Sequence, residues 1–455
     1  MQKIPFAVGT TSARNKKANN ETLINLFAEV LTPTSKNNVA LMGTPGFTTL
    51  LTLPTFPVLG AHVFQGNLYA VTPTKVYKIS SLNVATEIGT VVFSATESVS
   101  IANNGTMMVL CQGDSYIYEP LAGIPFYIIP DTDYQQASTV DFMDGYFIWE
   151  KANSGQFFIS SLYSTAIDPL EFATAEGSPD DLQGLVVAHR QLWLFGTSST
   201  EVWYNSGNSL FPFTRIQGSF SEKGCINRDT IAKTNNTIAY VGNDNIAYMI
   251  NGYSPVRISN ETIEYKLGQA DPLTLNAFEY TEEGHIFYCL VIGDESFVFD
   301  VKTQMWHTRK SSTINRWRIN DIKDAYSIRY GFDYANGNVY QISLDIGTED
   351  SVVIQREAIS APLNNNLSFF TINSVQLDME TGLSTIGADD KITLEYSRNG
   401  GVSWSFEKPS TIGKQGEFTH RAIWRRLGRH RDISFRIKTY TKAAVRIIAL
   451  YAGFK

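Results

Sequence analysis

The chain has 455 residues, 43% of them apolar and 12% aromatic, enough core-forming material to exclude a disordered or low-complexity protein. Its length exceeds the roughly 250–300 residues at which a single hydrophobic core stops growing, so at least two domains or a repeat architecture are expected. The formal net charge of −7 is unevenly spread: His420–Lys455 carries ten Lys or Arg and one acid, a net of +9, and the rest of the chain carries −16.

Residues 1–55 read as an N-terminal arm. Met1–Thr10 leads into the polar run Thr11–Asn20 without the apolar stretch of a signal peptide, and no later run approaches the ~18 apolar residues of a membrane span. Leu23-Ile24-Asn25-Leu26-Phe27 is expected to anchor in a groove. Phe47-Thr48-Thr49-Leu50-Leu51 is expected to pair with the last repeat and close a ring.

Over residues 56–347 a pattern repeats: a Gly/Asn/Asp turn, an apolar strand, a second turn, another aromatic strand. Copies start at Leu68, Met107, Tyr146, Leu192, Ile238, Ile286 and Ile328, at intervals of 39 to 48 residues, which matches a four-stranded propeller blade. Partner strands follow at Val76, Tyr116, Phe157, Val202, Ile246, Phe297 and Val339. Turns such as Gln65-Gly66-Asn67, Asp144-Gly145 and Asn235-Asn236 supply residues that tolerate positive φ in hairpins. The inner strands are near-continuous apolar runs, as sheets covered on both faces require. Seven pairs imply seven blades, with six or eight left open because blades diverge. Trp149, Trp193 and Trp203, each in a blade strand, are expected to be largely buried.

Residues 348–455 change character. Val375–Glu380, Ile392–Tyr396 and Ile433–Lys438 alternate apolar and polar side chains, the mark of half-buried strands in a two-sheet sandwich. The fold class is therefore all-β: a seven-bladed β-propeller followed by a C-terminal β-sandwich with a basic block.

Motifs for chemistry are scarce. The six histidines show no metal-ligand spacing, and Cys111, Cys225 and Cys289, odd in number and far apart, suit buried hydrophobes of a chain made in a reducing cytoplasm. No nucleophile elbow, phosphate loop or dinucleotide fingerprint occurs, so catalytic, cofactor and metal sites are all read as none. Ser397-Arg398-Asn399-Gly400-Gly401-Val402-Ser403-Trp404 resembles the Asp-box turn of sialidase propellers, with Asn399 in place of the Asp. It occurs once, outside the repeat, and reads as a structural hairpin. A carbohydrate-active or glycan-binding propeller is the alternative function, because two carboxylates can come from anywhere in such a fold.

The sharpest feature is the basic block. Arg421, Trp424, Arg425, Arg426, Arg429 and Arg431 form a candidate protein interface, since Arg and Trp are enriched at such surfaces. Direct DNA binding and a solvated face are the competing readings.

Phe195–Tyr204 and Arg421–Arg429, with the early Thr44-Pro45-Gly46-Phe47, resemble stretches of the packaged-DNA-stabilisation, or tail-hub, proteins of short-tailed bacteriophages. The resemblance implies a virion tail location after assembly in the host cytoplasm. It implies a ring of six subunits below the head-to-tail adaptor on the portal, a channel through which genomic DNA passes, a tail needle that plugs it, and attachment surface for tailspikes. It implies no active site.

Overall fold

The repeat becomes a ring of antiparallel meanders in the computed structural model, which describes residues 1–384 and 390–454. The first blade is the meander Gly60–Phe64, Asn67–Val71, Lys75–Ile79, Ala85–Thr90. Four more follow as separate four-stranded sheets, beginning at Ser100, Ala137, Leu182 and Ala232. The next, from Asn276–Glu282 to Met305–Arg309, is built into a larger sheet. The last blade has three strands of its own from Ile319–Ala325 onward, and Gly46–Thr52 adds the fourth. Phe47 lies opposite Ile342 and Leu51 opposite Val339 in that antiparallel pair, so a strand from before the first blade joins the two ends of the ring by backbone hydrogen bonds.

The hairpins read from the sequence fall on the second and third strands of each blade, as in Leu68 opposite Ile79 and Trp193 opposite Val202. These middle strands are the near-continuous apolar runs, because neighbouring blades cover both their faces. The innermost strands are a separate set; they line the central channel and bury fewer positions, as Ala137–Met143 does with Ala137, Val140 and Met143. Between innermost and second strands, Asp144 and Gly145 take φ of 51° and 97°, and Asn235 and Asn236 take 48° and 60°. Positive φ at both central residues gives the turn the twist a tight hairpin needs.

Trp149 is fully buried and stacks on Phe158 with centroids 5.5 Å apart and planes 12° apart. Trp193 is also buried. Trp203 is only half-buried: it meets the edge of Phe157 in the preceding blade at 5.1 Å and keeps its Nε1 donating to Glu201 at 3.0 Å.

Two sheets form the sandwich. One has the order Leu26–Val30, Val39–Gly43, Arg446–Phe454, Phe370–Met379, Ala422–His430, with Gln2–Ile4 also on Arg446–Phe454. The other runs Asn20–Ile24, Gln355–Ile359, Asp432–Tyr440, Lys391–Ser397, Lys408–Thr411. The alternating segments place Val375, Leu377, Ile392, Leu394, Phe435 and Ile437 in the shared core.

The segment expected to be an arm is instead woven into this sandwich. Leu23 and Leu26 enter its core and Phe27 packs under the last two blades. Asn25, at φ 55°, turns the chain from one sheet to the other, and its Nδ2 donates to the carbonyls of Lys310 and Gln355 at 2.9 Å each. Ile24 pairs with Thr308, so hydrogen bonding runs from a blade into the sandwich. Buried Arg309 and Arg356 tie the seam, donating to the carbonyls of Pro45 at 3.1 Å and Thr44 at 3.3 Å. The one α-helix among the described residues, Glu261–Leu267, is capped by Asn260, whose Nδ2 also reaches the Thr10 carbonyl at 2.8 Å. Among the described residues no helix is long and apolar enough to cross a membrane.

Candidate interaction surface

Ala422–His430 is the outermost strand of its sheet and, among the described residues, pairs only with Phe370–Met379. Simple alternation would send every second side chain inward, but a β-bulge sets four residues, from Arg425 to Gly428, against three, from Ile372 to Ser374. Arg426 sits at φ 60° within it. The extra residue leaves both Arg425 and Arg426 exposed while Ala422, Trp424 and Leu427 stay buried. A bulged, charged edge also resists unwanted strand addition.

The six residues of the basic block thus separate. Trp424 belongs to the sandwich core, 4% exposed, with Nε1 donating to the Lys408 carbonyl at 2.7 Å. Its role is to hold the strand. Arg421, Arg425, Arg426, Arg429 and Arg431 are exposed, and among the described residues none of them forms an ion pair. Arg429 and Arg431 both lie over the half-exposed ring of Phe369, at 4.4 and 4.5 Å. The aromatic face offsets part of the repulsion between the two cations and leaves their N–H groups free for an anion.

Farther along, charge is neutralised within the chain. Arg436 makes a bidentate pair with Glu395, 2.7 Å on each side, and stacks over Trp404 at 4.3 Å. Lys438 meets Glu395 at 2.8 Å and Glu407 at 3.0 Å. Burial alone would raise the Glu395 carboxyl, but the bonds from Arg436 and Lys438 hold it below its usual range. The +9 block is therefore a solvated arginine edge followed by a closed ion-pair network. Sequence reasoning missed Phe369, because an aromatic beside a strand start looks like any core residue.

The second place where polar groups converge is the propeller channel, a cavity of about 570 Å³ lined by the innermost strands. Its carboxylates cap strand edges: Asp321 accepts from the Ala61 N–H at 3.1 Å, Asp141 from the Val187 N–H at 2.7 Å, and Asp229 from the Ser98 N–H at 3.2 Å. Asp141 also holds Lys233 at 2.8 Å and Asp321 holds Lys323 at 2.7 Å. All of these but the Asp321–Lys323 pair, which lies within one strand, tie blade to blade. His62 at the wall is held down to about 4, mainly by burial and then by Lys323.

Burial pushes the thiols of Cys111, Cys225 and Cys289 up to about 12, so they stay protonated and inert near neutral pH. Among the described residues no group of three or more His, Cys, Asp or Glu could hold a metal. The Asp-box-like turn is a brace: Asn399 Oδ1 accepts from the Ser403 N–H at 2.9 Å, and Gly400 backs onto the chain at Lys16 and Lys17.

Comparison with known proteins places the two domains in one family. The model described as bacteriophage P22 Gp10, beta-propeller, matches residues 2–347, and that described as bacteriophage P22 Gp10, beta-sandwich, matches residues 355–454. No curated protein matches the sequence. Among solved structures, BamB from Moraxella catarrhalis is similar at 10% identity and a TM-score of 0.41, covering 74% of this chain and 97% of its own. The Cps50 (Swd1) beta-propeller domain of Myceliophteria thermophila is similar at 8% identity and a TM-score of 0.44, covering 65% of this chain and 99% of its own.

Proposed function

Because the chain belongs to the bacteriophage P22 Gp10 family over both its propeller and its sandwich, we propose that it is a ring-forming hub, or nozzle, subunit of a short phage tail. Membership makes it a structural protein of the tail. The finer reading is a ring, six-fold in the family it resembles, that docks below the head-to-tail adaptor and extends the DNA channel. In that position it helps retain packaged DNA, accepts the tail needle, and gives tailspikes a surface to attach to. It assembles in the host cytoplasm and resides in the virion tail.

The observation that carries this reading is the match of both domains, in order, to one family. The architecture supports it: a ring of blades stitched by side-chain caps and joined to a sandwich by hydrogen-bonded strands is a rigid platform. The exposed, unpaired arginines of the Ala422–His430 edge and Arg431 are its proposed protein contact. DNA would pass through a lumen formed between subunits, for the channel within each propeller is a side-chain-lined cavity of about 570 Å³.

Adding the purified protein to particles that carry portal and adaptor but lack it tests the proposal. The expected result is a ring of extra density on the connector and DNA that becomes protected from nuclease. The carbohydrate reading predicts instead the release of reducing sugar from host polysaccharide, abolished by one carboxylate substitution. Turnover of that kind, without binding to the connector, would replace the structural reading.

A further inference from the structure

A second concentration of charge lies across the propeller from the arginine edge. Residues 131–181, the third blade and its link to the fourth, contain ten acids and one base, Lys151, a net of −9. Asp141 pairs with Lys233 at 2.8 Å and Asp144 with Arg190 at 2.8 Å, Glu150 is buried beneath the Thr139 hydroxyl, and Asp131 and Asp180 accept only from neutral groups, Ile167 N–H at 2.9 Å and the Ser199 hydroxyl at 2.9 Å among them. Besides Asp141, Asp144 and Glu150, the remaining seven have no cationic partner among the described residues. Asp133, Asp168, Glu176 and Asp181 are exposed. They border the outer strand Ile167–Thr174, which among the described residues pairs only with Gln156–Ser160 and exposes Leu170 and Phe172. The Glu171 carboxyl is raised by burial and by repulsion from Asp168, as expected where acids lack a counter-charge.

Placement decides what this face can meet. The sandwich is carried by the last two blades, through Ile24 with Thr308 and Phe47 with Glu349. The third blade is three steps away round the ring in either direction, so the acidic and basic faces of one chain cannot reach each other. Once the internal pairs are set aside, the exposed acids Asp133, Asp168, Glu176 and Asp181 on one side and the five unpaired arginines on the other are complementary only between copies.

Resting on the reading of the protein as a ring subunit, we propose that copies associate head to tail, the acidic outer edge of the third blade of one seated on the arginine edge of the sandwich of the next. Arg429 and Arg431, held on Phe369 with no carboxylate between them, receive the acids of the neighbouring copy, and the fork of each guanidinium suits a carboxylate bidentately. Leu170 and Phe172 supply the apolar part of the contact. A contact between two different surfaces, repeated from copy to copy, gives a ring when the rotation closes.

The test uses the full chain in two variants: R425E/R426E/R429E and D133K/D168K/E171K. Sedimentation at low salt is expected to show wild-type oligomers that weaken as salt rises. Each variant alone should associate at least ~100-fold more weakly, the effect of several kcal/mol of like-charge contact. An equimolar mixture of the two should regain assembly, because each reversed face then meets its opposite, and this rescue also shows that both variants fold. Wild-type assembly in either variant, a mixture of folded variants that stays monomeric, or a wild-type protein that is monomeric at low salt and high concentration would overturn the proposal. So would a duplex oligonucleotide that binds through the three arginines while the acidic variant assembles normally, since phosphate would then be the partner. Self-assembly through these faces without binding to virion connectors would support the contact and remove the tail reading instead.

Discussion

Trp149 joins the second and third blades, and its truncation measures how far the ring depends on packing between blades. The indole is fully buried, stacks on Phe158 at 5.5 Å, meets the edge of Tyr134 at 6.1 Å, and donates from Nε1 to the Ser115 hydroxyl of the preceding blade at 3.2 Å. A buried Trp removes up to about 250 Å² from water, worth about 6 kcal/mol gross at ~25 cal/mol/Å². Trp149→Ala retains part of that area, and such truncations lose about 3–5 kcal/mol. Losing the hydrogen bond adds little, because Ser115 Oγ keeps its bond to the Tyr134 hydroxyl at 2.8 Å. A loss of about 4 kcal/mol is thus expected, a large share of the 5–15 kcal/mol typical of folded proteins. Chemical denaturation followed by tryptophan fluorescence and far-UV circular dichroism reads it, with Leu121→Ala, at a site 95% exposed, as a control that moves stability by no more than about 0.5 kcal/mol. A Trp149→Ala midpoint equal to that of the control would refute the inter-blade packing described here.

Acid should loosen the fold through His62, partly buried at the channel wall, and the buried His307. His62 is held down to about 4 and His307 to about 3, in each case chiefly by burial. Both stay neutral in the folded chain where the unfolded chain binds protons, so their contribution is complete above about pH 6.5 and declines as pH falls toward about 4. Denaturation midpoints at pH 7 and pH 4.5 should differ, and a double His→Gln variant should show a smaller difference; an unchanged difference would remove these residues as the cause. Gly46→Ala should strain the ring closure, because a Cβ there meets the carbonyl oxygens of Ile346 and Thr348. The expected loss is about 1–3 kcal/mol, with faster amide exchange over Asn338–Ser343, and unaltered exchange would count against closure by this strand. Asn399→Ala should lose about 0.5–1.5 kcal/mol through its bond to the Ser403 N–H. Loss of saccharide binding in that variant with unchanged stability would instead favour the carbohydrate reading.

What was legible in the sequence follows from how each segment is covered. The second and third strands of the blades were readable because burial on both faces makes them continuous apolar runs, as in His285–Ile292. The innermost strands were not separable from them, since strands such as Ser100–Asn103 are short and face both a neighbouring blade and a wet channel. The sandwich announced itself through the alternation of Ile433–Ile437, yet its N-terminal strands stayed hidden. Thr11–Asn20 has no large apolar residue, and the turn at Asn25 breaks the period of Leu23–Phe27, so nothing local shows that they bridge two sheets. The arginine block was visible as charge. Its division into an exposed edge and a satisfied network depends on the bulge at Arg425 and Arg426 and on Glu395 and Glu407, a strand and a hairpin away.

The central claim, that this chain is a ring subunit of the tail, is tested most directly by imaging the purified protein by electron microscopy, alone and mixed with virion connectors that bear the adaptor. The account predicts closed rings on the connector, with the sandwich of each subunit against the third blade of its neighbour, and their loss in R425E/R426E/R429E. Single propellers that never associate, with connectors left bare at every concentration, would contradict it.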